Sequence, residues 1–122
     1  MRNTPIRILL VEDDPQWQTG IQALLELDPQ FELTAVADCF EDALVAFERT
    51  RPEVILLDWK LKGEKDGHAV GQTLQKAGIP PERIILISGS SPSSIPAHPY
   101  LYVPKQRLFE ELVPLIQSVT IT

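Results

Sequence analysis

Five short segments of the chain are rich in apolar residues and are separated by longer, more polar stretches. In chain order they are residues 6–11, 33–37, 54–57, 84–87 and 100–103. The clearest of them are continuously apolar rather than alternating, which is typical of strands covered on both faces, as in a parallel sheet. The pattern therefore predicts a parallel β-sheet of short strands.

Between these segments apolar residues recur at intervals of three and four, the spacing of a helix with one buried face. The four helical stretches are 17–25, 43–47, 70–77 and 108–119. Asp14 followed by Pro15 predicts the start of the first helix. Asp66 predicts the start of the third, which should end at Gly78. Pro114 predicts that the last helix is kinked or interrupted.

Strands and helices alternate without an internal repeat or a linker, so we expect one domain, residues 1–122. Such alternation builds βαβ units with right-handed crossovers. The predicted fold class is therefore α/β, with a doubly wound, five-stranded parallel sheet. In sheets of this kind the functional residues lie just beyond the carboxyl ends of the strands.

Composition limits the binding partners and the cellular compartment that suit the chain. The chain of 122 residues has 11 Lys and Arg against 17 Asp and Glu, a net charge of −6. This acidic balance disfavours direct nucleic-acid binding and binding to an anionic membrane. Cys39, the only cysteine, excludes an internal disulfide and suits a reducing compartment. Since no apolar run is long enough for a membrane span and no leader opens the chain, we expect a cytoplasmic protein.

Polar and charged residues follow four of the predicted strands. Glu12 and Asp13 follow the first, Asp58 the third, Ser88 the fourth, and Lys105 the fifth. Neighbouring carboxylates repel one another unless a cation is present, and oxygen ligands suit Mg²⁺. A hydroxyl and an ammonium can bind a phosphoryl group, and a carboxylate can itself accept one. These strand ends therefore predict Mg²⁺-dependent phosphoryl chemistry.

Four motifs at the strand ends resemble the receiver domain of two-component response regulators, the family of the single-domain chemotaxis regulator. They are ILLVEDDP at 8–15, VILLDW at 54–59, ILISGS at 85–90 and YVPK at 102–105. The resemblance extends over essentially the whole chain. It implies a flavodoxin-like sheet with strand order 2-1-3-4-5.

The resemblance also implies roles for individual residues. Asp58 would be the phosphoacceptor, and Asp13 would bind Mg²⁺ directly, with Glu12 acting through water. Asp58 and the backbone carbonyl of Lys60 would complete the metal ligands. Asp14, which is adjacent, is better interpreted as a helix cap because Pro15 follows it.

A second group of implied roles concerns the phosphoryl group and the response to it. Lys105 would pair with the phosphoryl group and Ser88 would hydrogen-bond to it, while small Gly89 leaves room for its oxygens. Ser88 and Tyr102 would form the switch. The alternatives are an ordinary loop serine and a core tyrosine with an exposed hydroxyl. His68 and His98 lack partners at metal-ligand spacing and are expected at the surface.

The sequence departs from the family pattern in the connections. Gly67 comes one residue later than the family glycine, so the loop after Asp58 is longer. Ser88 and Lys105 are only 17 residues apart, and the segment between them is rich in proline. The fourth helix should therefore be missing or about one turn long. The face that usually transmits the signal would be rebuilt from this loop, Tyr100, Tyr102 and the last helix.

The leading hypothesis is a phosphorylation-controlled signalling receiver with Mg²⁺ as its cofactor. It would accept a phosphoryl group on Asp58 from a sensor histidine kinase or phosphotransfer protein and act by protein–protein interaction. It would not be an enzyme beyond its own phosphotransfer and dephosphorylation. A pseudo-receiver that is not phosphorylated is the main alternative. A Mg²⁺-dependent phosphohydrolase is less favoured because Lys60 occupies the place of the expected second carboxylate.

Overall fold

The computed structural model describes residues 3–89, 95 and 97–120. Its strands are β1 (Ile6–Val11), β2 (Phe31–Ala37), β3 (Val54–Asp58), β4 (Ile84–Ser88) and β5 (Leu101–Pro104). They form one parallel sheet with the order β2-β1-β3-β4-β5. The predicted fold class and strand order are confirmed.

The described α-helices are α1 (Pro15–Glu26), α2 (Phe40–Thr50), α3 (Gly67–Lys76) and α4 (Leu108–Val119). Asp14 caps α1 by accepting a hydrogen bond from the Gln16 N–H at 2.8 Å. Asp66 caps α3 in the same way, with the Ala69 N–H at 3.2 Å. Both predicted helix starts are therefore confirmed. No helix among the described residues has both the length and the apolar character needed to cross a lipid bilayer.

The sheet is covered on both faces, which explains the continuous apolar strands. In β1, Ile8 and Leu10 belong to a core shared with α1 and α4. Leu9 and Val11 belong to a second core shared with α2 and α3. All four side chains have 0% exposed area, so each alternate position of the strand is buried on one face or the other.

One predicted strand boundary was wrong, and of the kink or interruption predicted at Pro114 the interruption does not occur. The strand expected to start at residue 33 starts at Phe31, which pairs with Ile6 and is buried. The last helix is not interrupted at Pro114 but continues from Leu108 to Val119. Its buried stripe lies on both sides of the proline and packs on the sheet, while Pro114 itself is exposed. This burial outweighs the local penalty of the proline. The stripe consists of Leu108, Leu112 and Ile116.

The connection from β4 to β5 contains no helix among its described residues, which are 89, 95 and 97–100. The rest of the segment for which a missing fourth helix was predicted, residues 90–94 and 96, lies outside the described residues. Tyr100 anchors this connection to α3. Its hydroxyl donates a hydrogen bond to Gln75 Oε1 at 2.9 Å, and its ring covers Gly71.

Candidate functional site

The carboxyl ends of β1, β3 and β4 hold buried polar side chains. Glu12 is 0% exposed, Asp58 6% and Ser88 2%. Asp13 beside them is half-buried. Burying carboxylates is costly unless hydrogen bonds or opposite charges compensate them. The partners of these groups therefore define the chemistry of the site.

Glu12 is fixed by its own backbone and by the start of α1. Its N–H donates to the Ala37 carbonyl at 2.9 Å, and its carbonyl accepts from Gln18 Nε2 at 2.6 Å. Its side-chain Oε2 accepts a hydrogen bond from the Asp14 N–H at 3.2 Å. The carboxylate is thus directed toward the sheet edge, where β3 and β5 also end.

Lys105 enters the site from the turn after β5 and contacts two carboxylates. Its Nζ lies 2.6 Å from Glu12 Oε1 and 3.4 Å from Asp58 Oδ2, and its side chain is only 10% exposed. The pairing of Lys105 with Glu12 was not anticipated from the sequence. Gly89 lies nearby, since a methyl group there would be 3.9 Å from Lys105 Cδ.

Three carboxylates converge at this edge of the sheet, and one oxygen of each lies within 4.8 Å of the other two. They belong to Glu12, Asp13 and Asp58. Glu12 Oε1 is buried, and the charge that compensates it is the Lys105 ammonium at 2.6 Å. One ammonium among three carboxylates leaves a negative surplus. The cluster therefore fits a divalent cation with oxygen ligands.

The ionisation of Asp58 reflects this crowding. Burial and the neighbouring Glu12 carboxylate raise the pKa of Asp58 to about 7, although Lys105 opposes the shift. Near neutral pH the group exchanges readily between acid and carboxylate. A cation at the cluster would favour the carboxylate, which is the nucleophilic form.

The other predicted site residues lie around this centre. Ser88 ends β4 beside β3, in which Asp58 pairs with Ile87. Tyr102 is half-buried in β5, and burial raises its pKa. Lys60 is exposed, two residues after Asp58. The switch role of Ser88 and Tyr102 and the ligand role of the Lys60 carbonyl stay predictions.

The longer loop after β3 returns to the end of that strand at Gly67. The Gly67 N–H donates to the Trp59 carbonyl at 2.7 Å. A Cβ at Gly67 would lie 2.1 Å from the carbonyl oxygen of Asp58, so only glycine fits this approach. Within the loop, Lys62 Nζ lies 3.1 Å from Asp38 Oδ2 and ties the loop to the segment after β2.

Sequence reasoning missed the aromatic residues on either side of the site. The Trp17 ring lies 5.1 Å from Lys105 Nζ, although the helical spacing indicated only a core position for it. Both histidines, which were expected at the surface, pack against Trp59 there. His68 and His98 are half-buried, with ring centroids 5.4 Å and 6.3 Å from that of Trp59.

Comparisons with known proteins show the family to which the sequence is related. The sequence model of a family described as "Response regulator receiver domain" matches residues 8–101. The nitrate/nitrite response regulator protein NarP of Escherichia coli (strain K12) is 34% identical over 92 residues, which are 75% of this chain and 42% of that protein. A protein-glutamate methylesterase/protein-glutamine glutaminase of Koribacter versatilis (strain Ellin345) is 33% identical over 88 residues, 72% of this chain and 23% of that protein.

The solved structures give the same fold. A DNA-binding response regulator of the LuxR family from Staphylococcus aureus aligns with a TM-score of 0.80 and 25% identity, covering 93% of this chain and 98% of that one. The response regulator PhyR from Brucella abortus aligns with a TM-score of 0.77 and 24% identity, covering 97% of this chain and 49% of that one. The chain spans less than half the length of the curated relatives described above.

Proposed function

Because the chain belongs to the response regulator receiver domain family, we propose that it is a phosphorylation-controlled signalling domain with Asp58 as its phosphoacceptor. The observation that carries this proposal is the position of Lys105 Nζ, 3.4 Å from Asp58 Oδ2 in a buried acidic pocket. A buried ammonium beside an ionisable carboxylate is suited to neutralise a phosphoryl group that arrives there.

The donor in this proposal is a phosphohistidine on a sensor histidine kinase or a phosphotransfer protein. An Asp58 carboxylate oxygen attacks phosphorus, the bond from phosphorus to the histidine nitrogen breaks, and the leaving imidazole takes up a proton from solvent. Glu12, Asp13, Asp58 and the Lys60 carbonyl would hold Mg²⁺, which supplies positive charge for the transferring group. Lys105 supplies the second positive charge.

The proposed product is a conformational state rather than a released metabolite. Ser88 would hydrogen-bond to the phosphoryl group, and Tyr102 would respond to its movement. Tyr102 packs on the side of the sheet that also carries Tyr100, which anchors the connection after β4. We place the contact with a downstream protein on this side. The activities that the names of NarP and the methylesterase describe belong to those longer proteins.

The direct test is to incubate the protein with Mg²⁺ and acetyl phosphate and to weigh it intact. The wild type should gain the mass of one phosphoryl group, and Asp58→Asn should gain none. Asp14→Asn is a matched control, because asparagine also caps a helix and the residue is adjacent to the acidic cluster. This control should be labelled like the wild type. Labelling of Asp58→Asn at the wild-type level would contradict the assignment of Asp58.

A receiver-like interaction module that is never phosphorylated is the second candidate. It is favoured by the Tyr100 anchor, because Tyr100 fixes the connection after β4 against α3 through Gly71 and Gln75. No mass gain of the wild type, under conditions that label a standard receiver, would support this candidate over the first.

A further inference from the structure

Lys105 has a third neighbour besides its two carboxylates. The face of the Trp17 indole lies 5.1 Å from the ammonium, measured to the ring centroid. We propose that Trp17 is a positioning residue that holds the Lys105 ammonium at the site during phosphoryl transfer. The role in transfer rests on the proposed function, whereas the contact itself can be tested without it.

The Trp17 ring is itself held in place from two helices. It is half-buried against the core between the sheet and helices α1 and α4. It stacks on Phe109 of α4 with ring centroids 6.3 Å apart and planes at 19°. Gly20, on the next turn of α1, lies beside Phe109, and a Cβ there would be in ordinary contact with the end of its ring, at 3.4 Å. The indole is therefore a fixed surface that can orient a flexible lysine.

The indole differs from the carboxylates in how its attraction changes during the reaction. The face of an indole attracts a cation through its quadrupole, most strongly where water is excluded. Glu12 and Asp58 attract the ammonium through charge, but a metal ion would compete for both, and phosphorylation converts Asp58 into a mixed anhydride. The attraction of Trp17 is unaffected by either event. It therefore keeps Lys105 at the site when the two carboxylates hold it less.

The first test measures the rate of phosphorylation by acetyl phosphate with Mg²⁺. Trp17→Leu keeps an apolar side chain without the π face, and we expect it to react about 2- to 30-fold more slowly than the wild type. Trp17→Phe keeps a weaker π face and should lie between them. A thermal melt shows whether Trp17→Leu folds. Where it does not fold, the rate of Trp17→Phe still tests the inference. Wild-type rates in both variants would overturn the inference.

A structural role for Trp17 would slow phosphorylation whether or not Lys105 is present. Trp17→Leu is therefore repeated in a Lys105→Met background. When Trp17 acts through Lys105, its substitution has no further effect in that background, since interacting residues are not additive. An equal slowing in both backgrounds would overturn the inference.

The second test needs neither Mg²⁺ nor a phosphodonor. The chain has two tryptophans, so Trp59→Phe leaves Trp17 as the single indole fluorophore. In that background Lys105→Met should change the Trp17 emission, because it removes a charge from the ring face. Lys62→Met should not, because Lys62 pairs with Asp38. Unchanged emission in the Lys105 variant would overturn the inference. A changed emission in a protein whose wild type takes up no phosphoryl group would support the contact and reject the proposed function.

Discussion

Helix α3 contacts two regions of the molecule through two glycines one turn apart, and the contacts differ in kind. One region is the end of β3 with the acidic cluster, here called the acceptor side after the role proposed for Asp58. The other is the segment from β4 to β5 that Tyr100 anchors, here called the connection side. On the acceptor side, Gly67 packs on backbone, with a Cβ position 2.1 Å from the Asp58 carbonyl oxygen. On the connection side, Gly71 packs on a side chain, with a Cβ position 2.2 Å from the Tyr100 hydroxyl. Backbone inside a sheet cannot move away cheaply, whereas a side chain can rotate. The acceptor side is therefore built rigidly, and the connection side depends on one movable anchor.

The two sides also differ in charge. The acceptor side holds three carboxylates and the Lys105 ammonium. The connection side holds a cluster of aromatic and imidazole rings, in which His98 stacks on Tyr100 with centroids 5.6 Å apart. Trp59 joins the two sides, because it follows Asp58 in the chain and contacts both His68 and His98. The two sides are thus adjacent in packing although they differ in charge.

The largest effect is expected for Gly67→Ala. The added methyl group would collide with the backbone of β3 at Asp58, so we expect a loss of about 3 kcal/mol in the free energy of unfolding. Denaturant unfolding measures this loss. Gly20→Ala is the matched control, since its helix has room for a methyl group, and it should gain about 0.5–1 kcal/mol from helix propensity. Equal stability of the two variants would show that the acceptor side is not rigid.

Gly71→Ala should have a smaller effect because Tyr100 can be displaced. We expect a loss of about 2 kcal/mol in the free energy of unfolding, with phosphorylation of Asp58 retained. In a Tyr100→Ala background the same substitution should cost nothing, because the colliding ring is gone. A cost that persists in that background would locate the strain elsewhere than at Tyr100.

The difference between the two sides also decides what the sequence could predict. Caps such as Asp14 and the acidic residues at strand ends are local signals, so the fold class and the composition of the acidic cluster were predictable. The contacts of Tyr100 with Gly71 and of Trp17 with Lys105 join residues far apart in the chain, and neither residue type signals its partner. The extent of α4 was predicted from its spacing, but its continuity through Pro114 was not, because burial of its apolar stripe outweighs a local rule.

The pH dependence of stability tests the acceptor side alone. Without Mg²⁺, the pKa of Asp58 is about 7 in the folded state, against an ordinary value of 3.8. The folded state therefore binds a proton more tightly than the unfolded state, and this contribution to stability is lost as the pH rises from about 4 to 7. Asp58→Asn should be more stable than the wild type at pH 8, by about 1–2 kcal/mol, and the gap should narrow at pH 5.

Denaturant unfolding in the presence of a chelator measures this gap at the two pH values. Asp38→Asn is the control, because Lys62 lowers the pKa of that exposed carboxyl instead of raising it. The control should show no gain in stability at pH 8. A gap for Asp58→Asn that is the same at both pH values would contradict a raised pKa.

The smallest effect is expected from Mg²⁺, and it shows whether the two sides are energetically separate. Since the proposed Mg²⁺ site is assembled only in the folded state, a several-fold excess of Mg²⁺ over its dissociation constant should stabilise the wild type by about 1 kcal/mol, seen as a higher melting temperature. Asp13→Asn should need more Mg²⁺ for the same gain. Gly71→Ala should show the wild-type gain in full, because Tyr100 packs on Gly71 and hydrogen-bonds to Gln75, neither of which belongs to the cluster. A smaller Mg²⁺-dependent gain in Gly71→Ala would mean that the Tyr100 anchor and the metal cluster are energetically coupled. Displacement of Tyr100 would then belong to the response of the protein at Asp58.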